Sequence, residues 1–188
     1  MKKKLKIMRT PALWLTAFYF LSFPLMAQKY ETQQFKVLND SEEFELRYYP
    51  PVMKIQSAND FGSLFNYISG SNTSSTKIAM TTPVYMGDAK GNEVMEFVLP
   101  ASFDQTNTPG AASEGVRVFQ SNPGYFIAVS FGGYATSRSQ KKIAEQLREI
   151  AKQKNFTIIS APILLVYNAP FQVFGRKNEV LFEIAHQP

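Results

Sequence analysis

The sequence predicts an α+β domain: one antiparallel sheet, strongly curved or closed into a barrel, with two helices laid against it. Three observations carry this. Two helical patterns, at residues 59–69 and 137–154, place apolar side chains at i, i+3, i+4 and i+7. Between and around them, extended runs alternate apolar and polar residues with a period of two, as half-buried strands do. The elements follow one another as strand, helix, strand, strand, and then in the same order again. It is the element order that repeats, not the residues, and it points away from a parallel α/β arrangement.

Residues 1–27 stand apart from that domain. Lys2, Lys3, Lys4, Lys6 and Arg9 form a basic head, residues 11–23 an apolar run, and Leu25-Met26-Ala27 ends in a small residue where a signal peptidase could cut. The run is shorter than the ~20 residues of a membrane span, and Pro24 interrupts it. The expectation is therefore a signal peptide and a periplasmic or secreted protein, with an uncleaved N-terminal anchor as the second reading. Residues 28–43 then form an N-terminal extension along the surface, and residues 44–186 the domain. The full chain has 20 basic and 15 acidic residues; the first 27 hold five of the basic ones and no acid, so the remaining 161 are balanced at 15 of each. No basic stripe is left to neutralise phosphates, which removes support for nucleic-acid binding. The absence of cysteine suits an exported chain of this length and excludes a lipid-modified N-terminal Cys, thiolate nucleophiles, Fe–S clusters and zinc–thiolate sites.

Residues 44–57 start as a strand, with Phe44, Leu46 and Tyr48 on one face and Glu45, Arg47 and Tyr49 on the other; Pro50-Pro51 bends it or confines it to an edge. Asn59 or Asp60 caps the first helix, whose stripe of Phe61, Leu64, Phe65 and Ile68 reads as core, until Gly70 ends it. The other face, with Ser63, Asn66 and Tyr67, is poor in charge. Residues 77–86 and 94–100 are extended, and 101–115 form a long surface loop. Residues 116–119 and 125–131 are expected to pair across Asn122-Pro123-Gly124. The second helix opens on Ser137, with Gln140 at capping-box spacing, and carries Ile143, Leu147 and Ile150 inward. Lys141/Glu145 and Glu149/Lys152 have ion-pair spacing on its wet face.

Enzymatic constellations are missing. The only histidine is His186, close to the end of the sequence, so a Ser nucleophile has no obvious base. G-x-S-x-G, G-x-G-x-x-G and P-loop motifs are absent. Glu42, Glu43 and Glu45 read as a solvated run; Glu96, within an apolar strand, reads as an edge carboxylate facing water or Arg47. Asn72-Thr73-Ser74 and Asn155-Phe156-Thr157 match glycosylation sequons.

The most informative stretch is residues 167–184. Tyr167 closes an apolar run, Val180, Phe182 and Ile184 alternate against Leu181 and Glu183, and the connector between holds Phe171 and Phe174 beside Arg176 and Lys177. Exposed rings carry no folding benefit. Two rings beside two fixed cations suggest the rim of a pocket for a flat, apolar, anionic molecule. The alternative is a loop folded back on its own core, with Arg176 paired to a local carboxylate such as Glu179.

These pieces fall into a known pattern. Glu45-Leu46-Arg47 with Tyr49, Phe61 with Tyr67-Ile68, Gly70 and Asn72, Ile78-Ala79-Met80-Thr81-Thr82-Pro83-Val84, Phe97-Val98-Leu99-Pro100, Phe131-Gly132-Gly133-Tyr134, Tyr167-Asn168-Ala169-Pro170 and Arg176-Lys177-Asn178-Glu179-Val180 occur in an order and spacing that resembles the SOUL haem-binding family, from Phe44 to Ile184. The resemblance implies two pseudo-symmetric βαββ units forming a distorted antiparallel β-barrel with two flanking helices. It further implies non-covalent binding of haem or a related tetrapyrrole, with no catalysis, in an apolar pocket beside the first helix and the 168–176 loop. Phe171 and Phe174 would cover the macrocycle, Arg176 and Lys177 would meet the propionates, and Tyr67 and Met80 would line the pocket. His186, Met80, Tyr67 and Tyr167 are the available axial groups, with none assigned. Phe171 stands where the family commonly has Trp, and the first helix lacks the basic residue often found in good porphyrin binders. The other readings are a ligand-free interaction or envelope-associated domain, a binder of another planar hydrophobic molecule, and a hydrolase or lyase using Glu96 or Glu45.

Overall fold

A computed structural model of the chain describes residues 30–185. The expected signal peptide and His186 lie outside the described residues. The elements are β1 (Glu31–Thr32), β2 (Lys36–Asp40), β3 (Glu45–Tyr49), β4 (Met53–Ser57), α1 (Phe61–Ile68), β5 (Thr81–Thr82), β6 (Val84–Ala89), β7 (Asn92–Val98), β8 (Arg117–Gln120), β9 (Gly124–Gly132), α2 (Ser137–Gln153), β10 (Ile163–Val166) and β11 (Lys177–Ile184). Nine strands form one antiparallel sheet in the order β2-β3-β9-β11-β10-β6-β7-β4-β8, and β1 pairs in parallel with β5 beside it.

That order contains the internal repeat. The first unit, β4-α1-β6-β7, is arranged in space as β6-β7-β4, and the second, β9-α2-β10-β11, as β10-β11-β9. The units meet where β6 pairs β10, so a pseudo-two-fold axis passes between those strands. β8 flanks β4 as β3 flanks β9. The sheet is strongly curled into a half-barrel whose end strands are β2 and β8, and among the described residues no pairing joins those ends.

Alternation along each strand sends one set of side chains toward the helices and the other into the half-barrel. On the helix side, Ile127, Val180, Phe182 and Ile184 pack under Leu147, Ile150 and Ala151 of α2, while Ile55, Met95 and Phe97 pack under Leu64, Tyr67 and Ile68 of α1. On the inner side Tyr49, Tyr85, Val98, Leu165 and Leu181 form a third cluster. β11 is therefore buried on both faces, where the sequence pattern suggests a half-buried strand.

Three local expectations are corrected. Residues 44–57 are two strands: Pro50 and Pro51 offer no N–H to continue a ladder, so β3 joins β9 while β4 joins β7 and β8 near the opposite end of the sheet. β8 and β9 do not pair with one another. The Ser121 amide is bound to the Val52 carbonyl at 2.9 Å, which keeps the chain on β4 after β8 ends, and Pro123 cannot supply the primed turn of a tight hairpin. Gly124 then lets β9 begin close to its neighbours, since a Cβ there would lie 2.8 Å from the Phe126 ring. The buried face of α1 is Leu64, Tyr67 and Ile68, while Phe61 and Phe65 stand 47% and 49% exposed.

Helix capping is partly as expected. Asp60 caps α1 by accepting from the Gly62 amide at 2.8 Å; α2 is capped by Thr136, one residue before the expected Ser137, through the Ser139 amide at 3.2 Å. Neither expected ion pair on α2 forms. Residues 31–40, expected to run along the surface, supply β1 and the exposed edge strand β2. Between them, Gln33 and Phe35 turn into the half-barrel, where the Gln33 side chain accepts from the Tyr85 hydroxyl.

The burial pattern sets an unequal cost for two helix substitutions. Leu147→Ala, at a fully buried site, is expected to lower stability by about 2–5 kcal/mol, whereas Phe65→Ala should cost about 1 kcal/mol or less. Urea midpoints measure both; equal losses would contradict the assignment of Phe65 to the exposed face.

Candidate functional site

Inside the half-barrel, one carboxylate gathers an unusual set of partners. Glu179 of β11, fully buried, accepts from Arg47 of β3 through two bonds, Nη1 to Oε2 at 2.7 Å and Nη2 to Oε1 at 2.9 Å. β9 lies between those strands and adds the Ser130 hydroxyl at 2.9 Å. The Tyr167 hydroxyl donates to Oε2 at 2.7 Å, and Lys177 Nζ lies 3.1 Å from Oε1. Arg47 also donates to Glu45 at 2.8 Å and to the Tyr49 hydroxyl at 3.1 Å, and stacks over Phe35. Every charge in the cluster has a partner, as burial demands.

The electrostatics follow from that geometry. Burial by itself would raise the Glu179 pKa, but the bonds and charge of Arg47, helped by Tyr167 and Lys177, reverse the direction and hold it at about 2. Burial pushes the Tyr49 phenol up to about 12 against the opposing pull of Arg47. It also raises Tyr167, with the Glu179 charge adding to the effect. Neither phenol is a base near neutral pH.

Tyr167 and Lys177 are the two ends of the 168–176 connection, so Glu179 holds its stem from below. The Lys177 amide donates to Asn168 Oδ1 at 2.6 Å, and Lys177 Nζ sits 4.6 Å from the Tyr167 ring. Above this stem, Phe171 and Phe174 are 86% and 87% exposed. Arg176 turns inward: Nη1 donates to the carbonyls of Ala169 at 2.9 Å and Gln172 at 2.7 Å, and its guanidinium lies over Tyr134 at 4.4 Å. Lys177, half exposed, is the cation facing Glu179, the place the alternative reading gave to Arg176. Two buried polar atoms, Arg176 Nε and Asn178 Oδ1, have no hydrogen-bond partner. Both belong to the base of this loop.

The other expected contact residues sit on α1 and just after it. Tyr67 is buried and donates its hydroxyl to the Pro109 carbonyl; Met80 is half buried against the α1 core. Sequence reasoning put Phe61 and Phe65 in the core, yet the two rings stack on each other at 5.9 Å, with Phe61 resting edge-on against Phe97. Under the internal two-fold, α1 corresponds to α2 and the β10–β11 connection to the β6–β7 hairpin. By that symmetry the helix-side pairing of α2 with the β6–β7 hairpin corresponds to one of α1 with the 168–176 loop.

Cavities open on both sides of the sheet. One of about 270 Å³ lies inside the half-barrel and includes Lys54, Gln56 and Glu96. Glu96 there accepts from Lys54 at 3.0 Å and from Gln56 at 2.7 Å, so its partners are on β4 and not Arg47. Burial lowers the Lys54 pKa despite the nearby carboxylate. The second, about 600 Å³, lies beside α2. The six expected contact residues line neither. Asn72 is buried, its amide donating to the Tyr67 and Thr76 carbonyls, and so does not present a glycosylation site. Among the described residues there is no group of three or more potential metal-ligating side chains, and no helix long and apolar enough to cross a membrane.

A family model described as SOUL heme-binding protein matches residues 30–183. The chain belongs to the SOUL family. Among curated proteins, heme-binding protein 1 of Bos taurus is 24% identical over 124 residues, covering 62% of this chain and 64% of the bovine one, just under two thirds of its length. Among solved structures, a protein described as a hydrolase from Listeria innocua superposes with a TM-score of 0.55 at 8% identity, covering 79% of this chain and 94% of that one. The EcmrR–DNA complex gives a TM-score of 0.55 at 12% identity, covering 77% of this chain and 57% of that one. At such identities these two likenesses show the fold alone. For a SOUL chain, the residues here fit a planar, apolar, anionic ligand: exposed phenyl faces and one half-exposed ammonium. It provides no imidazole among the described residues.

The Glu179 cluster makes stability depend on pH. The folded-state pKa lies below the ordinary carboxylate value of 4.5, so its contribution is complete above about pH 4.5 and is lost as pH falls toward 2. Glu179→Gln should cost about 3–5 kcal/mol at pH 7, because it takes from Arg47 its buried carboxylate and leaves only the part-exposed Glu45, and the gap to the parent should narrow between pH 4.5 and 3. Parallel urea midpoints over that range would contradict the assignment.

Proposed function

We propose that this SOUL protein binds haem or a related tetrapyrrole non-covalently and without catalysis, in transport or buffering, after export directed by residues 1–27. The observation that carries the reading is the pair Phe171 and Phe174, held almost fully in solvent on a stem fixed by Glu179. Exposing two rings gives the folded chain nothing; covering them with a macrocycle contributes about 3–6 kcal/mol. Because the stem is already ordered, less of that gain is lost to loop ordering on binding. Phe61 and Phe65 offer a second apolar face on α1, and Lys177 meets a carboxylate at the rim. Bound haem would supply its own redox chemistry; the chain's part is to cover the ring and fix its acidic edge.

One observation favours the runner-up, a ligand-free interaction domain of the same fold. Arg176 spends its guanidinium on its own loop and on Tyr134, leaving Lys177 as the rim cation. Hemin titration separates the two. Saturation near one per chain with a shifted Soret band is expected, and Phe171→Ala with Phe174→Ala should weaken it at least tenfold. Non-saturating uptake unchanged by that double variant would leave only the interaction domain. The mass of the exported chain tests the leader: it should begin at Gln28, and retention of residues 1–27 would favour the anchor.

A further inference from the structure

The half of the helix-side surface that belongs to α2 holds a cavity of about 600 Å³, within the range of small-molecule sites. Its floor is apolar: Met86, Ala144, Leu164 and Val180. One wall is α2, which presents Lys141 and Arg148; the facing wall is the β6–β7 hairpin, which presents Asp88 and Glu93.

The two signs of charge are not equally available. Asp88 accepts from the Gly91 amide at 2.6 Å, closing the hairpin, and Glu93 accepts from Asn59 at 2.9 Å. Lys141 makes no hydrogen bond and no ion pair. Its expected partner Glu145 follows it on the helix, the weaker orientation for such a pair. Arg148 rests its guanidinium over Phe182 at 4.8 Å, a contact that holds the side chain in place and leaves all five N–H groups unbound. Residues 141 and 148 are two turns apart on one face, about 10 Å along the axis. The cavity therefore joins an apolar floor to two cations on the α2 wall that make no ion pair, of which Arg148 is held in place, opposite two carboxylates on the hairpin wall that are already hydrogen-bonded.

We propose that this cavity is a second ligand site, which takes an amphipathic organic carboxylate: an apolar body on Met86, Ala144, Leu164 and Val180, and its acid on Lys141 or Arg148. It is the internal counterpart of the α1–loop half and does not depend on the tetrapyrrole reading. The two halves differ in kind. The α1 half exposes flat aromatic rings, whereas the α2 half offers aliphatic side chains beside two cations on one helix face, so an alkyl or branched chain suits it better than a macrocycle.

Calorimetric titration of the whole exported chain with sodium dodecanoate tests this, with dodecylamine and 1-dodecanol as equal-length probes. The expected result is saturation near one dodecanoate per chain, at least tenfold tighter than dodecylamine. Lys141→Glu and Arg148→Glu, both at exposed positions, should each weaken it about tenfold or more, while Phe171→Ala with Phe174→Ala leaves it unchanged. Hemin binding should survive the two charge reversals, so the two sites fail independently. Equal affinity for dodecanoate and dodecylamine, indifference to both reversals, or loss in the phenylalanine double variant would overturn the proposal.

Discussion

The Arg47–Glu179 pair is the constraint on which the rest of the molecule depends. It spans β9 from β3 to β11, inside a half-barrel whose ends do not pair, and so fixes the curl of the second unit from within. A buried ion pair contributes little net stability compared with apolar packing. What it supplies here is position. Once Arg47 holds Glu179, the carboxylate oxygens direct Tyr167 and Lys177, and the 168–176 loop has both its ends in place. Broken on one side, the same pair becomes a liability, because its partner cannot reach water.

The internal two-fold then divides the labour on the helix side. Each unit lends a helix to one half and a strand connection to the other. In the α1 half, the connection is long and ends in exposed rings; in the α2 half, it is the tight β6–β7 hairpin, with Gly91 at positive φ. The longer connection carries the exposed rings on which the proposed macrocycle would lie. The shorter one leaves room beside α2 for a narrower one. Sequence divergence between units thus turns one architecture into two different surfaces. In the half-barrel interior the carboxylates of Glu96 and Glu179 are each paired with a cation, Lys54 and Arg47.

Much of this was legible in the residues. The alternation of Phe44, Leu46 and Tyr48 against Glu45, Arg47 and Tyr49, and of Val180, Phe182 and Ile184 in β11, placed each side chain on its correct face. The repeated element order foreshadowed two βαββ units. Less visible was anything set by long-range pairing. Nothing near Asn122-Pro123-Gly124 says that β8 belongs to β4, because the deciding bond comes from Val52. The exposure of Phe61 and Phe65 was hidden for a similar reason. A helical stripe fixes which residues share a face, but α1 meets the sheet through Leu64, Tyr67 and Ile68, and only the position of its neighbours reveals that. Proximity in sequence suggests Glu179 as a local partner for Arg176, whereas its bidentate partner, Arg47, lies 132 residues earlier. The cations of the loop were visible as a pair, yet the turn at Gly175 sends Arg176 inward and leaves Lys177 at the rim.

The loop's fixed stem and open tip are the centre of this account, and amide chemical shifts probe them most directly. Addition of one equivalent of gallium protoporphyrin to the isotopically labelled protein should move the amides of Phe171–Lys177 and of Phe61–Ile68, while those of β3, β9 and Tyr167 stay in place. Shifts confined to α2 and the β6–β7 hairpin, or a general collapse of the β11 resonances, would contradict it.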